Sequence, residues 1–147
     1  MLSRSHFCFF RKEHIINHIV EAIKKNGVFY VATIGDDNQP EVRPFSSVTE
    51  INGALYICTN NTKNVYKQLM KNPRIALSSM GKDGTWLRVT GTAVRDDNDA
   101  SRKAMLEDPT GPSSLYTLGD GIFEVFRIEN AHAVQYSMTS APVEIKA

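Results

Sequence analysis

Residues 28–59 read VFYVATIGDDNQPEVRPFSSVTEINGALYICT. This segment gives the clearest indication of the fold. Three runs in it, 28–34, 41–49 and 54–59, are rich in the β-branched and aromatic residues that are typical of strands. A Gly-Asp-Asp-Asn-Gln-Pro turn separates the first two runs, and the hairpin signal Asn52-Gly53 precedes the third. Because strands joined by such short turns pair antiparallel, this segment predicts an antiparallel sheet rather than a doubly wound parallel one.

The rest of the chain extends this pattern with a few helices and more strands. The predicted helices cover 12–25, 60–72 and 96–107, and the further strands cover 74–80, 85–95, 122–130 and 132–138. Residues 108–121 are rich in Gly and Pro and are predicted to form an irregular loop. We therefore expect a mainly β protein, a six- to seven-stranded antiparallel barrel with flanking helices. We expect one domain over residues 1–147, with 1–11 and 139–147 peripheral.

Composition excludes several classes of function. The net charge of this 147-residue chain is +1 with both signs interspersed, which argues against a nucleic-acid-binding surface. No stretch approaches the roughly 20 apolar residues of a membrane helix, so we expect a cytoplasmic protein with no membrane partner. His14 and His18 share a helix face but have no evident third ligand, so we expect a solvated face and no metal site.

The end of the third strand is the first candidate for a binding site. Thr59 leads directly into a predicted helix start that carries Thr62, Lys63 and Asn64. The first turn of a helix presents free backbone N–H groups and the positive end of the helix dipole, and a hydroxyl and an ammonium there complete a phosphate pocket. The alternative is a surface helix capped by Asn61 or Thr62, with a solvated lysine.

Two other stretches are candidates for contact with a flat ligand. Arg43-Pro44-Phe45 lies inside a predicted strand, where proline cannot donate to the sheet ladder. This stretch either aims a cation at a planar ligand or is an edge strand with an exposed arginine. Trp86 begins Trp86-Leu87-Arg88-Val89 on the long strand and could belong to the core, to an interface or to a cofactor site, with the core as the default.

Together these features resemble a known family, the FMN-binding split barrels related to pyridoxamine 5′-phosphate oxidase. The nearest branch is similar to the short proteins grouped with nitroimidazole-resistance reductases. The resemblance covers about residues 13–138, and its order and spacing are more specific than any single motif. It is carried by Gly27-Val28-Phe29-Tyr30-Val31-Ala32-Thr33, Arg43-Pro44-Phe45, Tyr56-Ile57-Cys58-Thr59-Asn60-Asn61-Thr62-Lys63-Asn64, Asn72-Pro73 and Trp86-Leu87-Arg88-Val89-Thr90-Gly91.

The resemblance implies a cofactor site. Lys63 would bind the FMN phosphate with Thr59, Thr62 and Asn64 nearby, which agrees with the helix-start argument. The residues implied along the isoalloxazine ring are Arg43, Pro44, Phe45 and Ser46. The family further implies a homodimer with FMN at the subunit interface, reached from the second subunit by Trp86 and Arg88.

The chain also departs from the full oxidases. It lacks their C-terminal tryptophan and arginine, and Trp86-Leu87-Arg88-Val89 replaces their glutamine-bearing motif. We therefore do not expect vitamin B6 oxidation. The expected function is an FMN-dependent oxidoreductase that passes electrons from a nicotinamide or deazaflavin donor to a small planar substrate, with no acid or base group visible. The alternatives are a non-catalytic flavin or haem module for binding, storage or sensing, and a dimeric scaffold that has lost its cofactor.

Overall fold

A computed structural model describes residues 4–146, without the side chains of residues 4, 5 and 7–10. Three α-helices lie within the described residues: α1 (Arg4–Asn26), α2 (Asn64–Lys71) and α3 (Asp99–Glu107). One 3₁₀ turn covers Asp36–Asn38. The strands are β1 (Phe29–Ile34), β2 (Pro40–Phe45), β3 (Val48–Ile51), β4 (Ala54–Asn60), β5 (Arg74–Met80), β6 (Trp86–Arg95), β7 (Phe123–Tyr136) and β8 (Val143–Ile145).

The strands form one antiparallel sheet in the order β2-β1-β5-β6-β7-β4-β3, with β8 added to β7. The two strands at the ends of this path, β2 and β3, are consecutive in sequence and are separated only by Ser46-Ser47. The sheet must therefore curl until its edges approach, which gives a barrel that is split between β2 and β3. The predicted mainly β antiparallel split barrel with flanking helices is confirmed, with eight strands instead of six or seven.

The barrel is filled by alternate strand residues and closed by α1. Phe29, Val31 and Leu87 are almost fully buried inside, whereas their strand neighbours face outward. Ile19 and Ile23 of α1 are buried against the same core. The helix ends at Asn26, where Gly27 takes a φ of 90° and its N–H returns to the carbonyl of Ile23 at 3.1 Å. The core thereby fixes the strand ends around the split.

Several predicted boundaries were wrong. The predicted strand 41–49 is interrupted at Ser46-Ser47, where the chain passes from one edge of the sheet to the other. The predicted strands 122–130 and 132–138 are one strand, β7, which continues through Asn130 in the left-handed region at φ 51°. A bulge accommodates this residue opposite Gly91, where a Cβ atom would lie 2.8 Å from the carbonyl oxygen of Glu129.

The two termini also differ from the sequence-based expectation. The helix α1 begins at Arg4, eight residues before the predicted start at Lys12. The tail after Thr139, expected to be a loose end, contains β8, which pairs with β7 from Ala133 to Gln135. No helix within residues 4–146 is long and apolar enough to cross a membrane.

Candidate functional site

A cavity of about 330 Å³ opens at the split of the barrel. This volume lies in the range of roughly 300–1,000 Å³ for small-molecule sites. The cavity is lined by the end of β2, by the end of β4, which we call the floor, and by the loop 108–121, which we call the loop wall. The predicted site residues that line the cavity are Arg43, Pro44, Phe45, Ser46, Thr59 and Lys63. We call this cavity the split pocket.

The start of α2 supplies the cationic end of the split pocket. Lys63 is the N-cap residue of α2, and no side chain caps the helix there. Among the described residues, no carboxylate pairs with the Lys63 ammonium, and no acceptor meets the backbone N–H groups of Asn64, Val65 and Tyr66. Free first-turn amides beside an unpaired ammonium favour an anionic group.

Neither of the predicted caps, Asn61 or Thr62, caps this helix. The Asn61 side chain donates to the carbonyl of Gly121 at 2.9 Å. The Thr62 hydroxyl donates to the side-chain oxygen of Asn60 at 2.6 Å, and Thr62 lies one residue before the N-cap residue, Lys63. The helix begins later than predicted because Asn60 still belongs to β4. The side-chain oxygen of Asn60 accepts from the backbone N–H of Thr62 and thereby stabilises the turn between β4 and α2.

Arg43 lines the split pocket, but its guanidinium is committed to the protein. Nη1 donates to the hydroxyl of Thr33 at 2.6 Å and to the carbonyl of Val31 at 3.3 Å, and Nη2 donates to Oε1 of Gln68 at 2.8 Å. Burial lowers the pKa of the guanidinium from its ordinary value, while the nearby Glu41 carboxylate acts in the opposite direction. Arg43 therefore joins the edge strands to α2.

The floor of the split pocket is polar but not nucleophilic. Thr59 is 5% exposed and Cys58 is 9% exposed. Burial raises the pKa of the Cys58 thiol to about 12, although a hydrogen bond with Ser47 and the Lys63 charge act in the opposite direction. The thiol is neutral at physiological pH, which agrees with the interpretation of Cys58 as a small buried hydrophobe.

The loop wall is anchored at its beginning by Asp108. The Asp108 carboxylate accepts from Lys24 of α1 and from the hydroxyl of Thr49, both at 2.7 Å. Thr110 then donates to the carbonyl of Val48 at 3.0 Å, and its own carbonyl accepts from Ser47 at 2.6 Å. These bonds hold the loop against β3 and the split.

The ionisation of Asp108 follows from the same contacts. Burial alone would raise the pKa of this carboxyl, but hydrogen bonds from Lys24, Thr110 and Thr49 hold it below its ordinary value of 3.8. The carboxylate is therefore charged at neutral pH and retains its bonds to the loop.

The remaining predicted site residues lie elsewhere in a single chain. Trp86 stacks on Tyr136 with ring centroids 5.3 Å apart, and the Arg88 guanidinium lies 4.8 Å from the centre of the same ring. Both residues belong to the outward face of β6, away from the pocket lining. Thr62 and Asn64 do not line the pocket, and Asn64 borders a separate surface hollow.

Sequence reasoning missed residues that only folding brings to the pocket. They are Val28, Ser47, Cys58, Val65, Pro112, Leu115 and Tyr116. The three loop residues follow Phe45 by more than 60 positions, and no local pattern links the two segments. The one available signal was the length of the loop 108–121, because long ordered loops are often functional.

The antiparallel split barrel defines the fold class, and sequence comparison gives the family. The family profile described as pyridoxamine 5′-phosphate oxidase matches residues 15–118. The chain therefore belongs to the pyridoxamine 5′-phosphate oxidase family. A comparison with curated proteins finds no match.

Solved structures agree with this assignment. A NimC/NimA family protein from Clostridium acetobutylicum is 33% identical with a TM-score of 0.87, over 98% of this chain and 99% of that one. A second protein from the same organism, related to general stress protein 26 and described as of the pyridoxinephosphate oxidase family, has 18% identity and a TM-score of 0.68, over 91% and 95%. A haem-binding protein from Mycobacterium smegmatis shares the fold, with 17% identity and a TM-score of 0.69, over 90% and 56%.

Proposed function

We propose that the split pocket binds FMN and that the chain is a flavin-dependent oxidoreductase. The observation that carries this proposal is the unpaired Lys63 beside the uncapped start of α2, at one end of a pocket with apolar walls. Membership of the pyridoxamine 5′-phosphate oxidase family, whose members commonly bind flavin, supports the same cofactor.

The residues of the split pocket fit the parts of FMN. Lys63 and the first-turn amides of α2 would hold the phosphate by charge-assisted hydrogen bonds. Pro44, Phe45 and Leu115 supply apolar lining for a flat ring. Thr59 supplies a hydroxyl on the floor.

When bound, FMN supplies the electron-transfer chemistry, and the chain orients it and shapes access to its ring. Leu115, 74% exposed on the loop wall, would keep water from one side of the ring. The electron donor in this proposal is a nicotinamide or a reduced deazaflavin, and the acceptor is a small planar molecule.

The outward face of the β2, β1, β5 and β6 sheet supports a homodimer. Tyr30 of β1, Val42 of β2 and Met80 of β5 are large apolar side chains that are 54%, 67% and 63% exposed. Strand register places Tyr30 opposite Ser78, and Ser78 opposite Arg88, on one surface. We infer that a second copy covers this face and brings its Trp86 and Arg88 to the split pocket. A two-fold axis then gives two equivalent sites.

Identification of the chromophore in protein purified from cells tests the cofactor. FMN released on heating at close to one per subunit would support the proposal. Anaerobic addition of NADH, NADPH or a reduced deazaflavin should then bleach the flavin absorbance. Colourless protein that fails to bind added FMN would refute the cofactor, and bound FMN that none of the donors reduces would refute the oxidoreductase part.

Haem is the alternative ligand, since a structural relative is described as haem-binding. Among the described residues that line the split pocket there is no histidine, the ligand that holds haem in globins and peroxidases. A haem absorption spectrum in the same experiment would replace the proposal with storage or sensing.

Subunit mixing tests the shared site. Lys63→Ala and Trp86→Ala each alter a different side of the proposed interface, so a heterodimer of the two variants would contain one intact site. Both homodimers should bind FMN more weakly than wild type, and coexpression should therefore restore wild-type affinity at one of the two sites of the heterodimer. Lack of restoration, with both variants dimeric and folded, would place both residues in one subunit's site.

A further inference from the structure

The side-chain amide of Asn60 joins two walls of the split pocket. It is 9% exposed at the end of β4. Its Oδ1 accepts from the backbone N–H of Thr62 at 3.0 Å, and its Nδ2 donates to the Tyr116 hydroxyl at 2.7 Å. One side of this bridge is the turn before α2, and the other side is the loop wall.

The backbone fixes the direction of both hydrogen bonds. A main-chain N–H can only donate, so the amide oxygen of Asn60 must face Thr62 and its NH₂ group must face Tyr116. The oxygen of Tyr116 therefore accepts, and the phenolic hydrogen is left to point elsewhere. Among the described residues, no acceptor receives that hydrogen.

The ring of Tyr116 is also held in place. It stacks on Phe123 with centroids 5.2 Å apart and planes at 23°. Phe123 pairs with Asn60 across β7 and β4, so the stacking partner and the amide belong to the same rung of the sheet. Tyr116, whose hydroxyl oxygen is held in this way, lines the pocket that also contains Lys63.

We propose that Tyr116 is a specificity-determining residue that donates a hydrogen bond to the anionic group held by Lys63, and that Asn60 is its positioning residue. This inference rests on the proposed function, in which the anionic group is the phosphate of FMN. Asn60 contacts both Thr62 and Tyr116 directly, so the phenolic oxygen lies one side chain away from the phosphate-binding turn. In this proposal, the loop 108–121 contacts the phosphate through Tyr116.

Comparison of FMN with riboflavin isolates the phosphate contact, because the two differ only in that group. Titration of apoprotein with each flavin, followed by flavin fluorescence, gives the affinity ratio. In Tyr116→Phe, which keeps the ring and its stack, FMN affinity should fall about 10-fold or more, as for a hydrogen bond to a charged group. Riboflavin affinity should stay within about twofold, since no charged acceptor is then lost.

Tyr56→Phe is the matched control. Tyr56 lies on β4, and its hydroxyl donates to Asp96 at 2.9 Å outside the pocket lining, so the affinity ratio should not change. The ³¹P resonance of bound FMN gives a second measurement. It should move in Tyr116→Phe and keep its position in Tyr56→Phe.

The outcomes separate this inference from the proposed function. If Lys63→Ala abolishes the preference for FMN but Tyr116→Phe keeps it, the proposed site stands and the role of Tyr116 is refuted. An equal loss for both flavins in Tyr116→Phe would also refute it, because the residue would then contact the ring or only pack. A wild-type protein with no preference for FMN would refute the phosphate site itself.

A double-mutant cycle tests the positioning role of Asn60. Asn60→Ala should lower the FMN-to-riboflavin ratio in the wild-type background and change it much less when Tyr116→Phe is already present. If Asn60→Ala lowered the FMN-to-riboflavin ratio by the same factor in both backgrounds, Asn60 would act only through the Thr62 turn. That result would refute its role in positioning Tyr116.

Discussion

Lys63 and Arg43 carry the same charge and line the same pocket, but the protein uses their hydrogen-bonding groups differently. The Arg43 guanidinium donates to Thr33, to Gln68 and to backbone carbonyls, and these hydrogen bonds join the edge strands to α2. Lys63 stands at a helix start with no partner among the described residues. A cation that lines a pocket therefore predicts a bound anion only when the folded protein leaves its hydrogen-bond donors without acceptors.

Ligand binding should show the greatest difference between Lys63 and Arg43. Lys63→Ala should weaken FMN binding by about 1.5–3 kcal/mol, the range for hydrogen bonds to charged groups, with little change in melting temperature. Lys67→Ala, also exposed but one turn further along α2, is the control in calorimetric titration. Equal affinities for the two variants would move the phosphate site away from Lys63.

Arg43 should show the opposite pattern. Arg43→Leu removes the charged donor that the Thr33 hydroxyl and Oε1 of Gln68 both accept, and it leaves them with the hydrogen bond from Thr33 to Gln68. The free energy of unfolding should fall by about 1.5–3 kcal/mol, the range for hydrogen bonds to a charged group. Urea denaturation of the apoprotein measures this loss. A stable variant that has lost FMN affinity as strongly as Lys63→Ala would break the comparison and make Arg43 a ligand contact.

A smaller effect should distinguish the loop wall from both cations. Asp108 has a pKa below its ordinary value of 3.8, so its contribution to stability is complete above that value and is lost as pH falls through the folded-state pKa. Asp108→Asn should therefore flatten the fall in stability at pH below about 4. Thermal unfolding from pH 3 to pH 7, compared with Asp37→Asn on an exposed turn, measures it. Parallel curves for wild type and Asp108→Asn would show that this carboxylate does not anchor the loop.

Much of the fold was predictable because its signals are local. The strand 74–80 was predicted at its exact boundaries, and Asn52-Gly53 forms the predicted turn with φ values of 51° and 78°. The break at Ser46-Ser47 was not predictable, because it depends on the two edges of a curled sheet meeting there. The single strand β7 was also missed, since its bulge at Asn130 depends on the close approach of Gly91.

The candidate site divides in the same way. Lys63 was recognised from a strand that runs into a helix, which is a pattern of a few consecutive residues. The caps assigned to Asn61 and Thr62 were wrong because the side chain of Asn60 takes up the turn before the helix begins. The placement of Trp86 and Arg88 at the cofactor stays a prediction that depends on a second subunit.

Local sequence signals were enough to predict the antiparallel class, the family and the phosphate-binding candidate, because hydrophobic alternation, turn residues and a helix start are short-range properties. Which cation is left without a partner, and which loop residues line the same pocket, followed only from the folded chain. Tyr116 and Lys63 are 53 positions apart in the chain, and Arg43 and Gln68 are 25 apart. Contacts over such separations exist only after the barrel has closed and every buried donor has found its acceptor.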